Sequence, residues 1–245
     1  MKIADGVEVL ELTNNSLGAA SLIHPTLIWD DSAVLLADTG FPGLLADIRA
    51  AMDKAGVPFS KLSKIILTHQ DIDHIGGLPG LLQASDHKIE VLAHLGDKPF
   101  IEGEQPLLKM KTIEQRLAGL PEEQRKQAAA LFGGPIKNKL DRTLADGEKL
   151  PYAGGITVIF TPGHTPGHIC LFLERSKTLV AGDAMVVIEG QLMGPRPNAT
   201  PDMDTAIRSL HKLTQYDIGT VICYHGGVYR GQANQRIKEL AQGME

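Results

Sequence analysis

Cysteine is nearly missing from this chain of 245 residues: Cys170 and Cys223 are the only two. Two thiols cannot make a disulfide framework or a Cys-type zinc knuckle. Both lie in apolar runs, and they are expected to be buried free thiols. A long apolar run is missing as well. The longest, residues 17–29, is interrupted by Ser21, His24 and Pro25 and is too short to span a bilayer. The first ten residues lack the apolar core of a signal peptide. A cytoplasmic protein with no membrane partner is therefore expected. No sign of charge dominates: 24 Lys and Arg stand against 29 Asp and Glu, a formal charge of −5. That balance gives no electrostatic case for a nucleic-acid partner. No linker or low-complexity tract divides the chain, so one domain over residues 1–245 is expected.

Enough apolar material is present for a full core. Hydrophobic residues are 43% and charged ones 22%, which excludes a disordered chain. At this length folding removes roughly 70–75% of the unfolded chain's surface from water. The 26 Gly and 14 Pro imply many tight loops. Strand patterns cover residues 7–12, 21–29, 33–37 and 64–68, with a helical repeat of Leu44, Leu45, Ile48, Met52 and Ala55 between the last two. Gly56 stands where a C-terminal cap belongs. Further strands are read at 156–161, 169–173, 178–181 and 218–224. Residues 169–173 are apolar without alternation, as in a strand covered on both faces. A helix from Thr200, as cap, and Pro201 through Leu213 follows, and a last helix carries Ala233, Ile237 and Leu240.

Residues 96–140 break the strand rhythm. Leu107, Leu108, Ile113, Leu117 and Leu120 fit one amphipathic helix; residues 121–132 fit a second, stopped by Gly133-Gly134-Pro135. Between Pro106 and Leu140 there are seven Lys or Arg and three Glu. A helical insertion is expected as a lid packed over one edge; its charges are expected to form a solvated face, with attraction of an anionic substrate as the alternative.

The chemistry concentrates in Thr68-His69-Gln70-Asp71-Ile72-Asp73-His74-Ile75-Gly76-Gly77, directly after a strand. Two imidazoles and two carboxylates within six residues are costly to bury unless a cation gathers them. Three more potential ligands stand at strand ends: His164 in Thr-Pro-Gly-His, Asp183 after Gly182, and His225 after Tyr224. Gly76-Gly77 is no phosphate loop, because no P-loop lysine follows.

In these motifs and their order, together with Asp38-Thr39-Gly40, the sequence resembles the metallo-β-lactamase superfamily of metallohydrolases. The resemblance covers nearly the whole chain. It implies an α/β fold, an αβ/βα four-layer sandwich of two facing mixed sheets with outer helices and metals at one edge. It implies a first metal held by His69, His164 and, in part, Asp71. A second would be held by Asp73, His74 and His225, with Asp183 between the two. The family pattern is His-x-His-x-Asp-His, and here Asp71 stands in place of the second His. A carboxylate hardens that site toward iron or manganese, although zinc is the first expectation. Flavodiiron relatives have a carboxylate there too, but also a following flavin domain, for which these residues leave no room.

The resemblance implies a dinuclear hydrolase in which a metal-bridging water, acidified from 15.7 toward about 7, attacks a polarised carbonyl or phosphoryl group. Asp73 is the expected proton shuttle and Asp71 its alternative; Asp38 is expected to orient a ligand histidine. A small-molecule lactone or carboxylic ester is the favoured substrate. A non-haem diiron or mononuclear iron redox enzyme of the same fold is the rival. His168 is expected to hold its loop, and His24, His87, His94 and His211 to be structural or superficial. Arg196 and Asn198 are candidates for substrate contact. Tyr224 and Tyr229 have no assigned role.

Overall fold

The five apolar residues Ile169–Leu173 are all buried, and they belong to two different cores. Ile169, Leu171 and Leu173 pack into one cluster, while Cys170 and Phe172 pack into another. A strand with apolar side chains on both parities must be covered on both faces, and that requirement sets the layers of the fold.

The computed structural model describes residues 1–16, 18–132 and 137–243. Its first sheet joins β1 (Lys2–Ala4) and β2 (Val7–Val9) to five further strands. A separate hairpin of β3 (Leu12–Asn14) and β4 (Ser21–Ile23) intervenes in the chain. The first sheet continues with β5 (Thr26–Trp29), β6 (Val34–Ala37), β7 (Leu62–Ile66), β8 (Glu90–His94) and β9 (Arg142–Leu144). The second sheet comprises β10 (Lys149–Leu150), β11 (Ile156–Phe160), β12 (Ile169–Leu173) and β13 (Thr178–Val180). After the hairpin of β14 (Val186–Ile188) and β15 (Gln191–Met193), it ends with β16 (Thr220–Cys223) and β17 (Gly227–Tyr229).

The two sheets face one another across a shared core. Leu35, Ala37 and Ile66 from the first meet Val158, Leu171 and Val180 from the second. The other parity of β6, Val34 and Leu36, faces outward onto Ile48 and Met52 of α1 (Leu45–Lys54). Beyond the short α2 (Ile72–Ile75), α3 (Leu78–Ala84) packs on this outer face through Leu78 and Leu81. The outer face of the second sheet is covered by α7 (Met203–Leu213) and α8 (Ala233–Ala241), after α4 (Lys98–Ile101), α5 (Met110–Ala118) and α6 (Glu122–Phe132) in the chain. On α7, Ala206, Leu210 and Leu213 form the buried stripe; on α8, Ala233, Ile237 and Leu240 do. This is the four-layer α/β sandwich that the resemblance implied. Among the described residues no helix is long and apolar enough to cross a membrane.

Three local readings change. The strand read over residues 21–29 is two strands: β4 pairs with β3, and β5 pairs with β2 and β6. Pro25, which lacks an N–H, stands at the break. The run read over residues 7–12 divides likewise between β2 and β3. The cap of α7 is Asp202, whose side chain accepts from the Thr205 N–H at 3.0 Å, in place of Thr200. Thr200 is drawn toward the candidate site instead. Gly133-Gly134-Pro135, read as a helix stop, lies outside the described residues.

The expected insertion contains α4, α5 and α6, but its first residues belong to the scaffold. The buried Asp97 carboxylate accepts from the Gln70 N–H at 2.9 Å, the Thr165 hydroxyl at 2.7 Å and the Gly167 N–H at 2.8 Å. It ties the loop after β7 to the loop between β11 and β12. Burial pushes this carboxyl above its ordinary range, although the bonds from Thr165, Gly167 and Gln70 oppose that rise.

Candidate metal centre

Parallel pairing brings the candidate ligands to one edge. β6 and β7 run parallel in the first sheet, and β13 and β16 run parallel in the second. β11 is antiparallel to β12, which is antiparallel to β13, so β11 points the same way as β13. The segments leaving β6, β7, β11, β13 and β16 carry Asp38, His69–His74, His164, Asp183 and His225 respectively.

Asp38 organises the first of these segments. It is 1% exposed and has a φ of 64°, a costly conformation for a residue with a side chain. Its Oδ1 accepts from the Thr68 N–H at 2.8 Å, and its Oδ2 accepts from the Thr68 hydroxyl and from His74 Nδ1, both at 2.8 Å. The Thr68 hydroxyl, already donating to Asp38, accepts from His69 Nδ1 at 3.0 Å. Both imidazoles are thereby oriented with Nδ1 turned to these partners and Nε2 facing the centre. Thr39 anchors the same turn, donating its N–H and hydroxyl to the His74 carbonyl at 2.7 and 2.8 Å.

Two groups of ligand atoms result. His69, Asp71, His164 and Asp183 form one, and Asp73, His74 and His225 form the other, with ligand atoms within 4.8 Å of one another in each. Asp183 lies between them. Its Oδ2 is 3.4 Å from His164 Nε2 and 3.5 Å from His225 Nε2, while its Oδ1 is 3.4 Å from His74 Nε2. Asp71 Oδ2 is 3.0 Å from His164 Nε2 and 3.3 Å from His69 Nε2. Asp73 Oδ2 is 3.1 Å from His225 Nε2. All seven residues singled out in the sequence converge here.

The buried atoms fit a cation. His69 Nε2, His74 Nε2, His225 Nε2, Asp71 Oδ1 and Asp183 Oδ1 are all buried without a hydrogen-bond partner. Each such atom costs about 1–3 kcal/mol when left unsatisfied. Imidazole nitrogens and carboxylate oxygens form a donor set suited to zinc, iron or manganese. The electrostatics agree. Burial, reinforced by His74, pushes the His69 imidazole down to about 4, which leaves it neutral at pH 7. Burial would raise the Asp183 carboxyl, but His225, His164 and His74 hold it well below the usual range. Asp71 is held low in the same way, against burial, by His69, His164 and Lys109.

Other side chains set these ligands in place. His168 is buried, and its Nε2 accepts from the Asp183 N–H at 3.0 Å while its Nδ1 lies 2.9 Å from the Thr161 hydroxyl. It holds the Asp183 backbone. Gly182 permits this contact: its φ is 52°, and a Cβ there would meet His168 Nε2 at 2.7 Å. Tyr224, unassigned in the sequence, stacks on His74 with ring centroids 3.7 Å apart, and its hydroxyl donates to the Asp73 carbonyl. Thr200 Oγ1 lies 3.3 Å from His164 Nδ1. His24 is structural, with its Nδ1 3.0 Å from the Tyr224 carbonyl oxygen.

Lys109, at the start of α5, was not singled out. Its ammonium donates to Asp71 Oδ2 and lies 2.7 Å from His164 Nε2. The only hint in the sequence was the excess of basic residues after Pro106. The insertion thus touches the first ligand group directly. A cleft of about 350 Å³ opens over the site, lined by Asp71, Asp73, Asp183 and His225 below and by Lys109, Ile113 and Arg116 of the insertion. Arg196 and Asn198 line it as well, and Arg196 Nη2 is 3.3 Å from Asp183 Oδ2.

A sequence model of the metallo-beta-lactamase superfamily matches residues 21–225, from β4 to His225. The chain belongs to that superfamily. Within it, the probable metallo-hydrolase YflN of Bacillus subtilis is 29% identical over 211 residues, covering 78% of this chain and 75% of that protein. The metallo-beta-lactamase fold-containing protein ST1585 of Sulfurisphaera tokodaii is 27% identical over 203 residues, covering 81% and 70%. Among solved structures, a metallo-beta-lactamase family protein of Thermus thermophilus superposes with a TM-score of 0.68 at 25% identity, covering 99% of this chain and 80% of that one. Superfamily members typically bind divalent metals, and the ligand groups above are where this chain would hold them.

Proposed function

We propose that the protein is a dinuclear metal-dependent hydrolase acting on a carboxylic ester or lactone. One observation carries this reading: the unpartnered histidine nitrogens and carboxylate oxygens lie on both sides of Asp183, so that one carboxylate faces two donor groups. His69, Asp71 and His164 would hold one divalent ion, and Asp73, His74 and His225 the other, with Asp183 shared. Zinc is the first choice, and Asp71 leaves iron or manganese open at the first position. When bound, the two cations supply Lewis acidity and a water acidified toward neutral pH.

The chain's own residues supply the rest. Asp73 would orient water and carry a proton, a role supported by its half-buried position in the lining of the cleft. Asp71 already answers His164 and Lys109, which suits a ligand better than a shuttle. In the reaction the oxygen of water bonds to the acyl carbon and the acyl C–O bond breaks. The proton passes by way of Asp73 to the leaving oxygen, giving a carboxylic acid and an alcohol. The apolar wall of the cleft, with Phe41, Ile72, Leu107, Met110 and Ile113, favours an acyl substrate over a nucleotide.

The experiment is a hydrolysis screen of lactone, carboxylic ester, thioester, phosphodiester and β-lactam substrates on protein of measured metal content. Ester or lactone turnover that is lost on chelation and restored by zinc supports the reading. Turnover confined to phosphodiesters or β-lactams would replace the substrate class. Dioxygen reduction by iron-loaded protein without any hydrolysis would replace the reaction with the redox alternative.

A further inference from the structure

Apart from the three carboxylates assigned to the metals, the ionised side chains lining the cleft are all basic: Lys109, Arg116 and Arg196. Three basic side chains and three carboxylates balance in the lining, so any basic group not already answering one of those carboxylates is free to receive an anion. The three differ in position. Lys109 and Arg196 lie against the site itself, in contact with Asp71 and Asp183. Arg116 does not. It sits on the same face of the insertion as Lys109, Thr112 and Ile113, all of which line the cleft. That spacing follows the helical repeat, so the face is a continuous roof. From Lys109 to Arg116 the roof rises by about 10 Å at 1.5 Å per residue. Ile113 lies between the two on this face, and Phe41, Leu107 and Met110 add apolar surface to the same cleft.

We infer that the substrate is an ester or lactone whose acyl chain is apolar and ends in a carboxylate, and that Arg116 receives that carboxylate. This rests on the hydrolase reading of the same cleft. An apolar stretch bounded by the metal site at one end and a guanidinium at the other matches an apolar chain with an anionic terminus. A guanidinium fork pairs with a carboxylate through two parallel N–H bonds. Because Arg116 is exposed at the rim, its contribution falls at the low end of charge-assisted bonds, about tenfold in selectivity.

The test compares p-nitrophenyl octanoate with the mono-p-nitrophenyl ester of suberic acid on the metal-loaded protein. In parallel, calorimetry compares binding of octananilide with that of suberic acid monoanilide, whose amide stands in for the ester. The wild type is expected to prefer the anionic member of each pair by about tenfold. Arg116→Gln should bring both ratios toward one, Arg116→Lys should keep part of the preference, and Arg125→Gln, exposed on α6 away from the cleft, should leave both ratios alone. Equal binding of the two anilides by the wild type, or ratios unchanged in Arg116→Gln, overturns the inference. If neither ester is cleaved and the wider substrate screen shows no hydrolysis, yet the anilide preference is present and vanishes in Arg116→Gln, the carboxylate site stands and the hydrolase reading falls.

Discussion

Asp38 Oδ2 accepts a hydrogen bond from His74 Nδ1 at 2.8 Å, and this single contact decides which nitrogen of His74 faces the candidate metal centre. The pair also raises His74: burial pulls its pKa down, but Asp38 and Asp73 lift it well above the ordinary value. Asp38 owes its position to an unusual φ of 64°, which Asn tolerates as well as Asp does. Asp38→Asn therefore removes the charge while keeping the backbone. The expected result is a folded protein whose metal affinity falls about 10–100-fold, the usual consequence of losing a residue that orients a ligand. A competition titration with a chromophoric chelator measures it. Unchanged affinity would show that the Thr68 and Thr39 contacts orient His74 unaided.

His168 separates a positioning role from ligation. The expected behaviour of His168→Leu is loss of stability by about 1–3 kcal/mol, since the buried Asp183 N–H is left without an acceptor. Metal stoichiometry measured on purified protein should be unchanged. A drop by one ion per chain would instead make His168 a ligand.

Strand β12 was legible to the residue because its apolar side chains on both parities leave only one solution, a strand between two layers. The convergence of the candidate loops was legible for a related reason: seven side chains able to hold a metal, in short Gly-rich segments, have few other uses. What escaped the sequence depended on long-range partners. Thr200-Pro201 has the form of a helix start, but the Thr200 hydroxyl lies against His164, 36 residues away, and Asp202 takes over the cap. Asp97 and Lys109 act on Gln70 and Asp71 across 27 and 38 residues, and neither lies in a motif. Their roles come from the path of the insertion, which amphipathic periodicity alone does not fix.

The metal-free protein should lose stability in acid. Burial, with His69 and His164 nearby, holds His168 well below 6.5, and His69 is held at about 4. Both stay neutral in the fold while the unfolded chain takes up protons below about 6.5. The unfolded state then binds more protons, so the unfolding free energy falls as pH drops from about 6.5 to 4. His74, whose folded pKa is raised, acts in the opposite sense, because its contribution is present below the unfolded value and lost as pH rises through the folded one. Below about 6.5 His74 is protonated in both states and adds no slope, so the two depressed imidazoles set the trend there. Urea titrations of chelator-treated protein across this range should show the decline. The slope should be shallower in His168→Leu, which has one depressed group fewer.

Lys109 contacts Asp71 Oδ2 and His164 Nε2, the atoms with which the first ligand group would hold a metal ion. Lys109→Met should therefore raise zinc affinity at the weaker-binding position. In the metal-free protein it should also loosen the insertion. The ion pair is partly exposed, 25% on the lysine side and 8% on the aspartate side, so its worth is about 1 kcal/mol. Amide exchange in α5 should quicken by about fivefold, the factor that such an energy implies. Exchange and zinc affinity both equal to wild type would mean that the lysine is a bystander on the rim.

Asp71→His tests how the first ligand group is tuned. In the wild type, Asp71 brings a negative charge that His164, His69 and Lys109 all address. A carboxylate ligand weakens the Lewis acidity of the ion it holds, so the acidified water should have a higher pKa than beside three imidazoles. Replacement by His removes that charge and restores the common His-x-His-x-Asp-His pattern of the superfamily. It also takes from Lys109 its carboxylate partner, which frees the ammonium to move away from the metal. Both effects favour a softer, zinc-selective position. The expected outcome is tighter zinc retention under chelator challenge, and an acid limb of the pH–rate curve moved to lower pH with whichever ester proves to be cleaved. The double variant Asp71→His with Lys109→Met separates the two effects. If the limb moves equally in the single and double variants, the ligand's charge sets the water's acidity. If it moves only when Lys109 is also removed, the lysine controls it. A limb that stays in place in both, with zinc retention unchanged, would leave Asp71 outside the metal's coordination.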